Sequence, residues 1–248
     1  MAERPELPSS LELAWGRRAP SGRGPRPALN AERIVAAAVR VANAEGLEAV
    51  SMNRVAAELG SSPMALYRHV ASKDELLMLM FDLPLEKPPR FPDDAGWRER
   101  LIMWAQAHRE VFQRYPWMVR MPISGPPITP NHMAWFDAGL AALADTALTE
   151  GEKVGAVLLV SMHVRSNVQL NADIEAAEAN TDQAMVLAHY GAYLRQLINA
   201  EDHPAVWRAL QAGVFAAEAI EADDDFEFGL ETIIAGLEAL MQRRERSA

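Results

Sequence analysis

Apolar residues recur at intervals of three and four along almost the whole chain, and no stretch alternates as a half-buried strand would. The pattern predicts an all-α protein. Asn30 is a good N-cap for a helix running through Ile34, Ala38 and Val41 to a stop at Gly46. Ser51 caps a second short helix closed by Gly60. Ser62 caps a third with Pro63 in its first turn, and Ser72 with Glu75 forms a capping box for a fourth reaching about Phe81. The prolines of 84–92 mark a joint. Longer helices follow over about 94–115, from Thr129, from Thr149 with Glu152 to about Ala179, from Thr181, and from the acidic "DDDF" to the basic "RRER" at the end. Residues 1–27, with "RRAPSGRGPRP" at 17–27, break the pattern and read as a basic, irregular arm.

Helix, tight turn and helix within 51–69 is the size of a helix-turn-helix, whose second helix enters the major groove with its N-terminal residues against base edges. The residues there suit that task. Ser61 and Ser62 can bond phosphates or base edges, while Met64 and Ala65 can meet a thymine methyl. Tyr67, Arg68 and His69 reach phosphates or a guanine, and Lys73 at the start of the fourth helix adds a phosphate contact. Leu66 and Val70 face inward. The spacing alone leaves a second reading open, a surface helix of an all-helical protein.

Charge changes the picture. The chain carries 24 Lys/Arg against 34 Asp/Glu, a net charge of −10, which argues at first against nucleic acid. The excess is uneven, however: residues 1–73 hold ten Lys/Arg and seven Asp/Glu, and residues 74–248 fourteen and twenty-seven. An acidic body with one basic end can dock a polyanion at that end. Cysteine is absent, so disulfides, thiolate metal sites and a cysteine nucleophile are excluded. The first twenty residues lack the apolar run of a signal peptide, and 154–164 is too short to span a bilayer. A cytoplasmic protein without a membrane partner is expected.

The middle of the chain is rich in large soft side chains. Met78, Phe81, Trp104, Phe112, Trp117, Met118, Trp135 and Met162 stand among His108, His163 and Asn167. Such a set describes a small-molecule pocket or an ordinary helical core. The last helix carries Phe226, Leu230, Ile233, Ile234, Leu237 and Met241 on one stripe, with Gly229 and Gly236 seven apart. The stripe fits a helix partner or an intrachain core. Enzyme readings find little: no phosphate loop, no His-Glu-x-x-His and no strand for a nucleophile elbow. "DDDFEFGLE" fails as an EF-hand because Phe228 stands where that loop needs glycine. Neither cofactor nor metal is called for.

The segment "RIVAAAVRVANAEGLEAVSMNRVAAELGSSPMALYRHVASKDELL", residues 33–77, resembles the DNA-binding domain of the TetR family of transcriptional repressors. "FEFGLETIIAGLEAL" at 226–240 is similar to the final helix of the tetracycline-repressor branch. The resemblance implies an N-terminal helix-turn-helix domain at 28–75, after the arm at 1–27, and a helical ligand-binding and dimerisation domain at 76–248. It implies DNA contacts at Ser51, Asn53, Ser61, Ser62, Pro63, Met64, Ala65, Tyr67, Arg68, His69 and Lys73. Arg17, Arg18, Arg23 and Arg26 of the arm are candidates for the minor groove. A homodimer on a palindromic double-stranded DNA operator, released by a small-molecule effector, is the expected mode of action. Dimerisation is expected through the last helix and the helix at 152–179. The tetracycline repressor holds drug and magnesium partly through a histidine after its long fifth helix; "VRMPISGPP" here has none, so tetracycline–magnesium is not the expected effector. The competing expectation is an all-helical enzyme or carrier of hydrophobic molecules that binds no DNA.

Overall fold

In the computed structural model, residues 6–17, 29–123, 125–215 and 222–246 are described, and among them helices and short 3-10 turns are present and strands are not. The chain packs as two compact units, Met1–Thr146 and Ala147–Ala248.

Unit 1 begins with α1 (Ser9–Ala14), then α2 (Ala31–Glu45), α3 (Met52–Glu58), α4 (Pro63–Tyr67) and α5 (Lys73–Asp82). Each of the last four starts on a side-chain cap: Asn30, Ser51, Ser62 and Ser72 accept the N–H of Arg33, Arg54, Ala65 and Glu75 respectively. The short helices converge on a core of Ile34, Ala38, Val55, Leu66, Val70 and Leu76, all essentially inaccessible. Arg54 spans the surface between α2 and α3, paired with Glu45 and Glu58, while Arg40 pairs with Glu58. The hydrogen bond from Arg54 holds the Glu45 carboxyl below its ordinary value. Unit 1 continues with α6 (Trp97–Arg114) and α7 (Pro130–Ala142).

Unit 2 is built on α8 (Glu150–Glu178) and α12 (Ala222–Glu245), with α9 (Thr181–Ala188), α10 (Tyr190–Leu197) and α11 (Pro204–Gln211) between them. The box at the start of α8 forms in full, Thr149 and Glu152 satisfying each other's backbone N–H. Among the described residues no helix is long and apolar enough to cross a membrane.

Four expectations need correction. The arm is not irregular throughout: Ser9–Ala14 is helical, Leu11 is buried, and the Trp15 indole N–H donates to the Ile128 carbonyl at 2.9 Å. Six residues are too few for periodicity to reveal, and the helix is held by these contacts. Second, Ser72 caps α5, but the Glu75 carboxylate accepts the Ala71 N–H instead of completing the box on Ser72. Third, α9 is capped by Asn180, which accepts the N–H groups of Asp182 and Gln183, so Thr181 is already inside the helix. Fourth, Thr129 occupies the N-cap position of α7, yet its side chain makes no capping bond.

Candidate nucleic-acid interface and ring cluster

The residues expected to touch DNA lie at the start of α3, on α4 and at the start of α5, and none of them is buried. Leu66 and Val70 anchor α4 from below, as their inward placement requires. Above them Met64 is 75% exposed and Tyr67 47%, a cost that apolar surface bears when it awaits a partner. Ser62, Arg68 and Lys73 are exposed, and Ser51, Ser61, Pro63, Ala65 and His69 are half-buried. Asn53 is exposed one helical position after Met52, which points into the core. Two of the basic groups nearby are already engaged, Arg40 and Arg54, by Glu45 and Glu58. Among the described residues no carboxylate stands within salt-bridge reach of Arg68 or Lys73, so their charge faces solvent. Arg17 is exposed just after α1, while Arg18, Arg23 and Arg26 lie outside the described residues.

The aromatic residues expected around an effector are brought together only in part. His108 of α6 packs tilted against Trp104, Phe112 and Trp135 with ring centroids 5.3, 4.5 and 5.4 Å apart. Phe81 at the end of α5 meets Phe112 at 6.4 Å and His132 at 5.1 Å. Two indoles fix the layers: Trp104 donates to the Trp135 carbonyl at 2.9 Å, and Trp135 donates to the Leu85 carbonyl. His132, one of the polar residues that stand among the large side chains of the middle helices, joins the cluster; burial lowers its pKa, against a smaller raising effect of the nearby Asp82 charge.

Beside it opens a cleft of about 210 Å³, lined by Pro84, Leu85, Glu86, Lys87, Pro89, Ala107, Glu110, Val111, Arg114, Tyr115 and Trp135. Only Trp135 belongs to the expected lining. The periodicity of α6 carries the signal for Ala107, Val111 and Arg114, but none of these residues is aromatic or a methionine. Trp117 and Met118 are elsewhere, in the 3-10 turn Pro116–Arg120, where the Trp117 indole donates to Asn43 of α2 at 2.6 Å and Met118 is core. Met78 is half-buried on α5.

Met162, His163 and Asn167 lie on α8 in unit 2. His163 is consumed there: its ring stacks on Phe226, nearly parallel at 5.3 Å, and Nε2 donates to the Phe226 carbonyl at 2.9 Å. A Cβ on Gly229 would collide with that ring, so this glycine is a notch for a histidine of the same chain. The expected dimerisation stripe is likewise internal. Phe226 is 2% exposed, Leu230, Ile234, Leu237 and Met241 are buried, and Ile233 is half-buried. α8 covers this face of α12. The apolar residues left outside are different ones: Val154, Leu158, Leu159, Met162 and Leu170 on α8, and Phe228 on α12.

A helix-turn-helix with an exposed reading helix, followed by long helices around a ring-lined interior, defines a class of DNA-binding regulators. The chain belongs to the TetR family of bacterial transcriptional regulators: the model of bacterial regulatory proteins of the tetR family matches residues 34–79, and that of the tetracyclin repressor-like C-terminal domain matches residues 89–241. It is a regulator and not an enzyme. It is 35% identical over 249 residues to the HTH-type transcriptional repressor DrrR1 of Streptomyces coeruleorubidus, covering 98% of this chain and 90% of that protein. To the tetracycline repressor protein class C of Escherichia coli it is 28% identical over 219 residues, 86% of this chain and 92% of that protein. The crystal structure of apo ActR from Streptomyces coelicolor matches with a TM-score of 0.71 and 30% identity, over 85% of this chain and 97% of that one. ActR has also been solved with actinorhodin, a structure that matches with a TM-score of 0.70.

Proposed function

We propose that the protein represses transcription as a homodimer on a palindromic operator and lets go when a small hydrophobic or amphipathic molecule binds its C-terminal domain. Residues 28–75 form the reading domain in this account, and 76–248 the effector and dimerisation domain. The observation that carries it is α4, whose Ser62, Met64, Tyr67 and Arg68 stand outward while Leu66 is fully buried. The actinorhodin-bound ActR structure supports the effector class. The cleft beside the ring cluster sets Lys87, Glu110 and Arg114 around Leu85, Val111 and Trp135, a mixture of charged and apolar groups that an amphipathic molecule could meet.

Pairing rests on the outer face of α8. Val154, Leu158, Leu159, Met162 and Leu170 expose apolar surface at helical spacing, a patch that a lone subunit in water would not keep. A two-fold dimer matches the two half-sites of a palindrome. Leu158→Glu is expected to yield monomers in sedimentation velocity and to abolish binding of the full palindrome.

The deciding experiment is selection of duplexes from a randomised pool, followed by anisotropy titration. Enrichment of a palindrome, with Arg68→Ala weakening each half-site by about 1–3 kcal/mol, is the expected result. Recovery of no sequence above background would sink the operator-binding account. The arm enters the same assay. Because α1 is docked, removing residues 1–27 would disturb more than the basic segment, so Arg18, Arg23 and Arg26 are better changed to alanine together. A shallower salt dependence, by up to about 0.9 in slope for each phosphate no longer neutralised, is the result expected of an arm that lies on DNA.

A further inference from the structure

Helix α7 starts without the help of its own N-cap residue. The N–H of His132, third in the helix, donates to Asp82 Oδ1 at 2.9 Å, which is the bond that an N-cap side chain ordinarily accepts. Asp82 belongs to a different helix, as the last residue of α5. Asn131 Nδ2 adds a bond to the Asp82 carbonyl at 3.0 Å, and the Trp135 indole bonds the carbonyl of Leu85 just beyond. The end of α5 and the first turns of α7 are thus clasped at three points.

Asp82 is badly placed for its own helix. A carboxylate at a C-terminus faces the negative end of the dipole, and a buried one must also be hydrogen-bonded. Both penalties are relieved by the N-terminus of α7, and only while the two helices are docked. The other end of α5 carries Lys73, one of the residues expected to face DNA, and α5 packs on α2, with its Leu76 and Met80 fully buried. Phe81, the residue before Asp82, has its ring on Phe112 and His132. A molecule that displaces the Phe81 or His132 ring would therefore act on a neighbour of Asp82 or on the residue it caps.

We infer that Asp82 is a positioning residue for repression: by capping α7 from the end of α5 it holds α5 in the pose that presents the reading unit to DNA, and an effector in the ring cluster breaks this cap. The inference rests on the proposed function and adds the residue through which the two ends of α5 are coupled.

The test uses the full-length protein and a duplex selected by the wild type from a randomised pool. Asp82→Ala is expected to weaken duplex binding about 10-fold or more, within the usual span of coupling between sites, while Asp82→Asn, which keeps an acceptor oxygen, stays close to wild type. Hydrogen exchange gives a second readout: the His132 amide, remote from the bound DNA, should exchange more slowly on duplex binding in the wild type. Wild-type affinity in folded Asp82→Ala, or a His132 amide indifferent to DNA, overturns the inference. If Asp82→Ala does not fold, the wild-type exchange result and Asp82→Asn decide. A wild type that retains no duplex from the pool sinks the repressor reading itself, and this coupling with it.

Discussion

The reading head and the α6–α7 layer behind it start their helices in opposite ways. In the head, α2, α3, α4 and α5 each take a bond from the residue immediately before them. In the layer, α6 follows Gly96 with no side-chain cap, and α7 borrows its cap from Asp82, fifty positions before its bonding partner. Of the head helices, α3, α4 and α5, with five to ten residues, cannot sustain themselves in water and need local bonds, and the longer α2 is capped in the same way. Helices of 18 and 13 residues can rely on the surfaces they bury. A head stabilised locally keeps its shape when the body shifts. A layer stabilised by packing between helices can rearrange when a ligand takes the place of one neighbour.

Four experiments would break or sharpen that contrast. The largest effect is expected for Trp104→Ala, which removes a buried indole and its bond to Trp135; a loss of about 3–5 kcal/mol in denaturant unfolding follows from the cavity. Next comes coupling between α8 and α12. In a His163→Ala background Gly229→Ala should stabilise by about 1 kcal/mol through helix propensity. In the wild type the gain should vanish or reverse, because the methyl group displaces the His163 ring. Third, Ser51→Ala and Ser72→Ala should each cost about 1 kcal/mol, whereas Thr129→Val should leave the start of α7 intact in amide exchange. Equal losses at all three would erase the distinction between head and layer. The smallest effect concerns pH. His132 has its pKa lowered from 6.5 by burial, so the unfolded chain binds the proton more readily. Its contribution to stability is full above 6.5 and is lost as the pH falls through the lowered value; His132→Gln should flatten the acid limb of a stability–pH curve.

The same contrast explains what the sequence makes legible. Every cap in the head is a bond from residue i to i+3, so Asn30, Ser51, Ser62 and Ser72 could be read directly, and with them the inward Leu66 and outward Arg68. Elsewhere the deciding contacts are distant. Trp117 has the composition of a pocket wall, but its indole is spent on Asn43, 74 positions away. Phe226 and its stripe have the spacing of an intersubunit seam, yet periodicity cannot say which helix covers a face, and α8 of the same chain covers it. The two glycines of α12 do signal close approach, but only at Gly229 does a neighbour press, and that neighbour is a histidine ring; a Cβ at Gly236 would meet nothing within 4 Å. Asp82 carries no signal at all, since an acid at a helix C-terminus looks merely unfavourable until its partner is in view.

The histidine seated over Gly229 ties two distant columns of the sequence together. Neither position is free to drift alone: a side chain at 229 excludes an imidazole at 163, and a smaller residue at 163 removes the demand for glycine. Among relatives that share this helix pair, the two sites are therefore expected to change in concert, with glycine retained wherever the ring is kept.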